Sequence, residues 1–479
     1  MKRTSKWLML TGILLIAAAI LAACGGQATE APAPAPEQPT EAPAVEQPAA
    51  TEAPAMPELV GDPIRGGKLY DNWMKELGVD VPAETNPQWV AANAGDISVE
   101  KSYRCQRCHG WDYQGDHGFS GLAAGMSTND ALAALKGAGD PNHDYSQFMD
   151  EQALTDLALY VSEQVIDTNS ILGLTGDAAN GKTLFDDNCA DCHGPEGVAI
   201  SFHPDNEPEY PATIANEDPL ELLAKLRFGQ PAMPDMPSGV DNGWTEQEYA
   251  DAIAYIKTLP QANPVIEGGR MYDNWFKAFG MDAPEGDMPL WATQTTNTRT
   301  GGDTWRCKEC HGWDYKGADG VYASGSHATG FTGIFADSAM SAEELTAWLD
   351  GTKNPDHNFA SFFTADDFGR MVAFLQQGMV DKSFINADKT VTGGDVEHGK
   401  ALFNGVCASC HGEDGTAINF ADGEEKEFVG TVAADNPWEF FNKATVGQPG
   451  AAMPAGWSLG WTQQDIIDLI AFAQTLPTK

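Results

Sequence analysis

Apolar residues divide the chain into segments that can fold and segments that cannot. Between Gly25 and about Pro57 nearly every residue is Ala, Pro, Glu, Gln or Thr, and the few apolar positions follow no period. Such a segment cannot repay the entropy of folding, and its prolines favour an extended polyproline II conformation. We expect residues 24–58 to form a disordered tether, followed by folded sequence.

Beyond the tether, apolar residues recur at helical spacing behind capping motifs. Thr245–Glu248 precedes a periodic apolar run that ends at Pro260, and Thr462–Asp465 precedes a similar run near the end of the sequence. Ser341–Glu344 and Thr364–Asp367 begin two more patterns of this kind. A hydroxyl residue followed three positions later by an acid is typical of a helix N-terminus. The pattern predicts a mainly α fold.

The folded part repeats itself in two kinds of unit. Arg65–Trp73 is matched by Glu267–Trp275, 202 positions later, and Gly181–Phe185 is matched by Gly399–Phe403, 218 positions later. A period of about 200 residues indicates duplication of a module with two units, since solenoid repeats are far shorter. The predicted units are A1 (59–173), B1 (174–262), A2 (263–390) and B2 (391–479).

Residues 1–23 have the features of a signal peptide for export. Three cations precede a long apolar run that contains no acid, and the run ends in Leu21-Ala22-Ala23-Cys24. This ending resembles the lipobox of bacterial lipoproteins, in which the thiol, here Cys24, carries a diacylglycerol. An ordinary cleavage site or an uncleaved anchor is the alternative. No later apolar run approaches the roughly 20 residues that a membrane span requires. We expect an exported protein that is lipid-anchored on the outer face of the cytoplasmic membrane.

The charge balance is strongly acidic. The formal net charge of −41 becomes −44 once residues 1–23, with three cations and no acid, are removed. A nucleic acid is excluded as a partner because binding phosphates needs the opposite sign. The carboxylates can solvate the surface and also steer the protein toward basic patches on partner proteins.

The nine cysteines are distributed in a way that indicates their chemistry. Cys24 stands at the lipobox, and the other eight form four C-x-x-C pairs, each followed directly by a histidine. Zinc ribbons and redox dithiols also use C-x-x-C, but neither requires a histidine after every pair. Covalent haem requires it, because both thiols add to the haem vinyl groups and the adjacent imidazole ligates the iron. The motifs are Cys105, Cys108 and His109; Cys189, Cys192 and His193; Cys307, Cys310 and His311; Cys407, Cys410 and His411.

On these four CxxCH motifs the chain resembles the multihaem c-type cytochromes, and its B units resemble class I cytochrome c domains. The resemblance implies four covalently bound haem c groups and four cytochrome c-like helical haem domains in tandem. It also implies that the first and last helices of each B unit cross. Gly181 and Phe185 should then lie near Tyr255, and Gly399 and Phe403 near Phe472.

In the B units, methionines stand where the resemblance places a sixth iron ligand. B1 offers Met233 and Met236, and B2 offers Met453. Met236 precedes Trp244 by eight positions, as Met453 precedes Trp461. This register favours Met236 over Met233. Loop methionines are often apolar filling, but here they lie between a CxxCH motif and a terminal helix.

The A units have no comparable methionine loop and offer histidines instead. The segment around His143 aligns without gaps to the segment around His357, 214 positions later. Of the six histidines outside the CxxCH motifs, these two alone recur at matched positions. A lone histidine is often only a surface or core residue. The recurrence predicts that His143 and His357 are the second axial ligands of the A-unit haems.

Together, these features predict that the protein carries single electrons between redox proteins outside the cytoplasm. Iron with two protein ligands has no open position for a substrate, and methionine ligation raises the reduction potential relative to histidine ligation. Two other functions remain open. One is a haem enzyme, similar to thiosulfate dehydrogenase or a peroxidase, with an open or labile A-unit haem. The other is a structural protomer of a haem wire.

Overall fold

The computed structural model describes residues 60–202, 208–232, 235–421 and 426–479. The predicted signal peptide and tether, with Cys24, lie outside the described residues, and so does Met233. Within these ranges the regular structure is helical, and β pairing is limited to isolated bridges. None of the helices in these ranges combines the length and the apolar character needed to cross a membrane.

The described residues of the first module form twelve α-helices. Unit A1 holds α1 (Pro63–Leu77), α2 (Pro87–Ala92), α3 (Val99–Ser102), α4 (Cys105–His109), α5 (Thr128–Leu135), α6 (Glu151–Glu163) and α7 (Thr168–Leu172). Unit B1 holds α8 (Ala178–Asn188), α9 (Ala190–His193), α10 (Pro211–Glu217), α11 (Pro219–Phe228) and α12 (Glu246–Ile256). A short 3₁₀ helix at Pro141–His143 precedes α6.

The second module repeats this order with fewer helices in its A unit. Unit A2 holds α13 (Pro264–Ala278), α14 (Cys307–His311), α15 (Ala342–Leu349) and α16 (Ala365–Gln377). Unit B2 holds α17 (Val396–Leu402), α18 (Ala408–His411), α19 (Val429–Asp435), α20 (Pro437–Val446) and α21 (Gln463–Ala473). A π-helical turn at Phe403–Cys407 joins α17 to α18.

All four capping motifs found in the sequence begin helices. Thr245, Ser341, Thr364 and Thr462 each accept a hydrogen bond from the backbone N–H three residues on, and the acid at that position accepts one in return. These reciprocal bonds satisfy N–H groups that have no partner inside the helix. The predicted helix starts are confirmed.

The predicted helix crossings in the B units are also confirmed. A Cβ atom on Gly181 would lie 2.0 Å from the Asp251 carbonyl oxygen of α12, so only glycine permits the approach of α8. The rings of Phe185 and Tyr255 lie 5.6 Å apart at this crossing. In B2, the rings of Phe403 and Phe472 lie 5.4 Å apart.

The A units use the same crossing, which the sequence did not predict. A Cβ atom on Gly66 of α1 would lie 2.3 Å from the Asp156 carbonyl oxygen of α6. In A2, a Cβ atom on Gly268 would lie 2.1 Å from the Arg370 carbonyl oxygen of α16. In all four units, therefore, the first helix packs through a glycine against a later helix of the same unit: α6 in A1, α12 in B1, α16 in A2 and α21 in B2.

The buried apolar residues in the described ranges form four clusters, one centred on each crossing. The clusters of the A units also contain residues from the B unit that follows. Phe228 of α11 packs into the A1 cluster, and Val446 and Ala455 pack into the A2 cluster. Each A unit thus shares part of its core with its own B unit. The residue limits of the four units stay predictions.

A buried carboxylate also links A to B in each module. Asp71 on α1 pairs with Arg104 of its own unit and with Lys225 on α11. The second module repeats the arrangement. Its aspartate and arginine lie 202 positions after those of the first module, and its lysine lies 218 positions after Lys225. Asp273 pairs with Arg306, at 2.7 Å, and with Lys443. These charges hold the first helix of each A unit against the B unit that follows.

Candidate haem sites

Each CxxCH motif forms a short helical turn that ends at a glycine. The turns are α4, α9, α14 and α18, and the glycines Gly110, Gly194, Gly312 and Gly412 all have φ between 76° and 78°. This left-handed conformation favours glycine. Residues three apart in a helical turn are neighbours, so α4 and α14 each present two cysteines on one side. In the B units the first cysteine, Cys189 or Cys407, directly precedes α9 or α18. None of the eight motif cysteines forms a disulfide within the described residues.

The residues of the repeated segment Tyr-Asp-Asn-Trp hold the A-unit turns in place. The Tyr70 hydroxyl donates to the Gly110 carbonyl at 2.6 Å, and the Trp73 indole N–H donates to the Tyr103 carbonyl at 3.0 Å. Tyr272 donates to the Gly312 carbonyl at 2.6 Å in the same way. The sequence showed that the segment repeats, but its role depends on contacts across 30 to 40 residues.

The structure brings the predicted ligands of each A unit together. The ring centres of His109 and His143 lie 6.2 Å apart, and the two ring planes make an angle of 88°. The ring centres of His311 and His357 lie 6.3 Å apart at 75°. Both pairs join a motif histidine to a histidine from the following polar loop.

These separations fit one iron atom between two imidazoles. A metal bound by imidazole lies about 2.0 Å from the nitrogen, and the nitrogen lies roughly 1 Å from the ring centre. Two ligands on opposite sides of one metal therefore place their ring centres about 6 Å apart. Two imidazole rings in direct contact could have their centres closer together than this. The observed separation of the ring centres therefore fits a metal bound by both histidines.

Hydrogen bonds fix the tautomer of all four A-unit imidazoles. The Nδ1 atoms of His109 and His143 donate to the carbonyls of Ser120 and Ala134, at 2.9 and 3.0 Å. In A2, the Nδ1 atoms of His311 and His357 donate at 2.9 and 2.8 Å. Their acceptors are the carbonyls of Thr332 and Trp348. A carbonyl can only accept, so each Nδ1 carries a proton, and Nε2 is the nitrogen that a neutral ring would offer to a metal.

Burial keeps the motif imidazoles neutral. It lowers the pKa of His109 and lowers the pKa of His311 to about 4. The pKa of His357 is also lowered, again chiefly by burial. A neutral imidazole is the form that binds a metal. The donor atoms present in the A units therefore fit the group that the motifs imply.

The motif histidines of the B units have a different environment. Burial lowers the pKa of His193 to about 4 and also lowers the pKa of His411. Their Nδ1 atoms are buried, and neither has a hydrogen-bond partner among the described residues. Each ring instead contacts a phenylalanine, Phe202 or Phe420, with ring centres 5.7 Å apart. The B-unit imidazoles are held by ring packing, whereas the A-unit imidazoles are held by carbonyls.

The two methionine loops have matching backbone positions. Gly229 ends α11, and a Cβ atom there would lie 2.4 Å from the Met236 carbonyl oxygen. Gly447 ends α20, and a Cβ atom there would lie 2.6 Å from the Met453 carbonyl oxygen. Both methionines are half-buried. Met236 thus corresponds in space to Met453, in agreement with the register counted along the sequence.

The motif of B1 touches the loop of B2. A Cβ atom on Gly194 would lie 2.1 Å from the Ser458 carbonyl oxygen, so the two backbones are in contact. Nearby, the Ala455 N–H donates to the Ala199 carbonyl at 3.0 Å. The two modules therefore meet through their B units, next to one attachment site. No repeat or motif in the sequence indicated this contact.

Two protein-family models match the chain. The model described as Cytochrome c matches residues 178–260, and the model described as Cytochrome C oxidase, cbb3-type, subunit III matches residues 394–472. Both ranges lie in the B units. They establish cytochrome c domains there, and they support a c-type cytochrome with covalently bound haem c.

No curated protein matches the chain. A solved structure of thiosulfate dehydrogenase (TsdBA) from Marichromatium purpuratum, in its as-isolated form, is 16% identical. That match covers 85% of this chain and 90% of the other chain, with a TM-score of 0.20. Such a score carries no argument about fold or activity.

Proposed function

We propose that the protein is a tetrahaem c-type cytochrome that carries single electrons between redox proteins outside the cytoplasm. Cytochrome c domains imply electron transfer and redox partners. The four CxxCH motifs supply attachment sites for four haems, two of them inside the matched ranges. When bound, haem supplies one-electron exchange at its iron.

The observation that carries this proposal is the pairing of histidines in the A units. The ring centres of each pair, His109 with His143 and His311 with His357, are separated by about the distance that one metal atom between two imidazoles requires, and the Nδ1 atom of each ring donates to a carbonyl. An iron held in this way has no position for a substrate or for oxygen. The same argument applies to the B units if Met236 and Met453 are the ligands. Electron transfer then remains as the chemistry.

The proposed setting follows from the N-terminal sequence and the charge. Lipid at Cys24 and a tether of residues 24–58 would keep the haem domains near a membrane surface. The acidic surface favours redox partners with basic docking patches, and salt should weaken their association. A dispersed, negatively charged molecule of this kind is also a poor candidate for a polymerising haem wire.

Carbon monoxide distinguishes the carrier from an enzyme, because it binds ferrous haem that has an open or labile position. The reduced wild-type protein should show no spectral change under carbon monoxide at neutral pH. Rapid binding at one or both A-unit haems would replace the carrier with a haem enzyme that resembles thiosulfate dehydrogenase or a peroxidase in its open site.

A further inference from the structure

A buried cation lies against a tyrosine hydroxyl beside each A-unit motif. In the first module, Arg227 Nη1 donates to the Tyr113 hydroxyl at 3.2 Å. In the second module, Lys382 Nζ lies 3.3 Å from the Tyr315 hydroxyl. Arg227 is 3% exposed and Lys382 is 2% exposed. Both tyrosines follow their motif histidine by four positions, so each cation lies close to a haem attachment site.

The two cations come from positions that do not correspond in the repeat. The A-unit offset of 214 relates Lys382 to Thr168, and the B-unit offset of 218 relates Arg227 to Thr445. At these two positions the first module has Thr168 and Arg227, and the second module has Lys382 and Thr445. The charge beside the tyrosine recurs although the residue that supplies it has changed.

Among the described residues, Lys382 forms no ion pair. Its Nζ donates to the carbonyls of Trp313, at 2.6 Å, and Trp438, at 3.4 Å. It also lies over the rings of Tyr315 and Phe441, 4.5 and 5.2 Å from their centres. Carbonyls and aromatic faces stabilise an ammonium less than a carboxylate does. Burial accordingly lowers the pKa of Lys382 to about 7.

Asp314 is the acid whose charge favours protonated Lys382. Its carboxylate already accepts hydrogen bonds from the backbone N–H groups of Lys316 and Val321, at 3.2 and 2.9 Å. The other charged groups on the surrounding elements have partners of their own: Lys443 with Asp273, Lys308 with Glu309, Lys316 with Asp381, and Glu439 with Asn436. Lys382 differs from these lysines because its amine has only carbonyls, a hydroxyl and aromatic rings as partners among the described residues.

Arg227 cannot change its charge in this way. A guanidinium stays protonated throughout the range in which proteins fold. Its Nη2 donates to the carbonyl of Gln164 at 2.9 Å, so its place in the first module is fixed by hydrogen bonds. The first module therefore has a permanent charge beside its A-unit motif.

We propose that Lys382 is a proton-binding site that couples electron uptake by the second module to the uptake of a proton. The proposal rests on the proposed function, because it requires a redox centre at the A2 motif. When the module gains one electron from a partner, the amine takes up at most one proton from water and becomes an ammonium. Loss of the electron returns the proton to solvent, and no bond between heavy atoms changes.

The direction of the coupling follows from electrostatics. A cation near a redox centre favours the state that carries the extra electron. Protonated Lys382 therefore raises the reduction potential of A2, and the potential should fall as the pH rises through neutrality. The A1 potential should lack this component, since Arg227 keeps its charge.

Proton uptake on reduction tests the proposal directly. Protein whose denatured mass shows four haems is reduced at an electrode near pH 7 in weak buffer, and a pH-indicator dye counts the protons taken up. The wild type should take up more protons than Lys382→Met or Lys382→Arg, and both variants should lose the same amount. Lys316→Met removes a half-buried lysine beside the same motif, one that is paired with Asp381, and should behave as the wild type.

The two variants also distinguish the effect of the positive charge on the A2 potential from the effect of changing the side chain. Lys382→Arg should fix the A2 potential near its value at low pH, and Lys382→Met should fix it near its value at high pH. Equal proton uptake by the wild type and both variants, each with four haems, would overturn the inference while leaving the proposed function intact. A mass without haem would instead overturn the proposed function.

Discussion

The ring centres of His109 and His143 lie 6.2 Å apart, and the planes of the two imidazoles are nearly perpendicular, at 88°. His311 and His357 repeat the relationship in the second module at 6.3 Å and 75°. Neither pair is close in sequence, and both pairs have their Nδ1 protons bound by carbonyls. This repeated geometry is the basis for the proposal that two histidines bind each A-unit iron.

Removing the distal histidine should open an iron site. We expect His143→Ala and His357→Ala each to bind one equivalent of carbon monoxide in the reduced state, because alanine cannot replace the lost ligand. The measurement is a carbon monoxide titration followed by absorption. His117→Ala changes a histidine of A1 without a counterpart in A2 and should bind none. If the alanine variants remain as unreactive as the wild type, another residue is the sixth ligand.

The angle between the imidazole planes should appear in magnetic resonance. Nearly perpendicular planes leave two of the iron d orbitals close in energy, which makes the low-spin ferric signal strongly anisotropic. We expect two such signals at low temperature, with the A1 signal the more anisotropic because 88° exceeds 75°. Signals typical of parallel imidazole planes would contradict the ring geometry of the A units.

The methionine ligands should be visible in the oxidised spectrum. Met236 and Met453 should together produce the weak sulfur-to-iron band near the red end. Met453→His should remove about half of its intensity and lower one haem potential, since imidazole ligation gives lower potentials than thioether ligation. Met281→His changes an exposed methionine and should leave the band intact. An unchanged band in the Met453 variant would exclude that residue as a ligand.

The helix caps and the B-unit crossings could be predicted from sequence because their causes are local or repeated. Thr245 and Glu248 are three residues apart, and the pairing of Gly181 with Tyr255 follows from the resemblance to class I domains. The ring distance between His143 and His109 depends on how the polar loop packs, which no motif records. The cations escaped prediction for another reason: Lys382 and Arg227 lie at unmatched positions, so aligning the repeats conceals them.

Asp273, the buried carboxylate between A2 and B2, should stabilise the fold to an extent that depends on pH. Burial opposes ionisation of Asp273, but Lys443 and Arg306 outweigh it and lower the pKa of Asp273 to about 2. Because this pKa lies below the usual value of about 4, the contribution is complete above about pH 4 and is lost as the pH falls toward 2. Asp273→Asn should lower the free energy of unfolding by on the order of 2 kcal/mol at neutral pH.

Chemical denaturation at several pH values checks this prediction. Asp303→Asn is the matched control, since Asp303 pairs with the same Arg306 at 3.3 Å but is half-exposed. The control should lose less than about 1 kcal/mol, as exposed ion pairs usually do. If the difference in stability between the wild type and Asp273→Asn persists unchanged at pH 2, ionisation of Asp273 is not its source.

Membrane attachment should depend on one cysteine. If Cys24 carries lipid, Cys24→Ser should yield soluble protein that still holds its haems, or an unprocessed precursor. Fractionation of cells into membrane and soluble parts, with haem staining, makes the measurement. A variant that is processed normally and stays with the membrane would rule out lipid at Cys24 as the anchor.

The covalent attachment of four haems is tested most directly by the intact mass of the denatured, purified protein. Thioether bonds survive denaturation, so four CxxCH motifs should retain four haems and give the mass of the processed polypeptide plus four haem groups. A mass corresponding to the polypeptide alone, with zinc found by elemental analysis, would contradict the account.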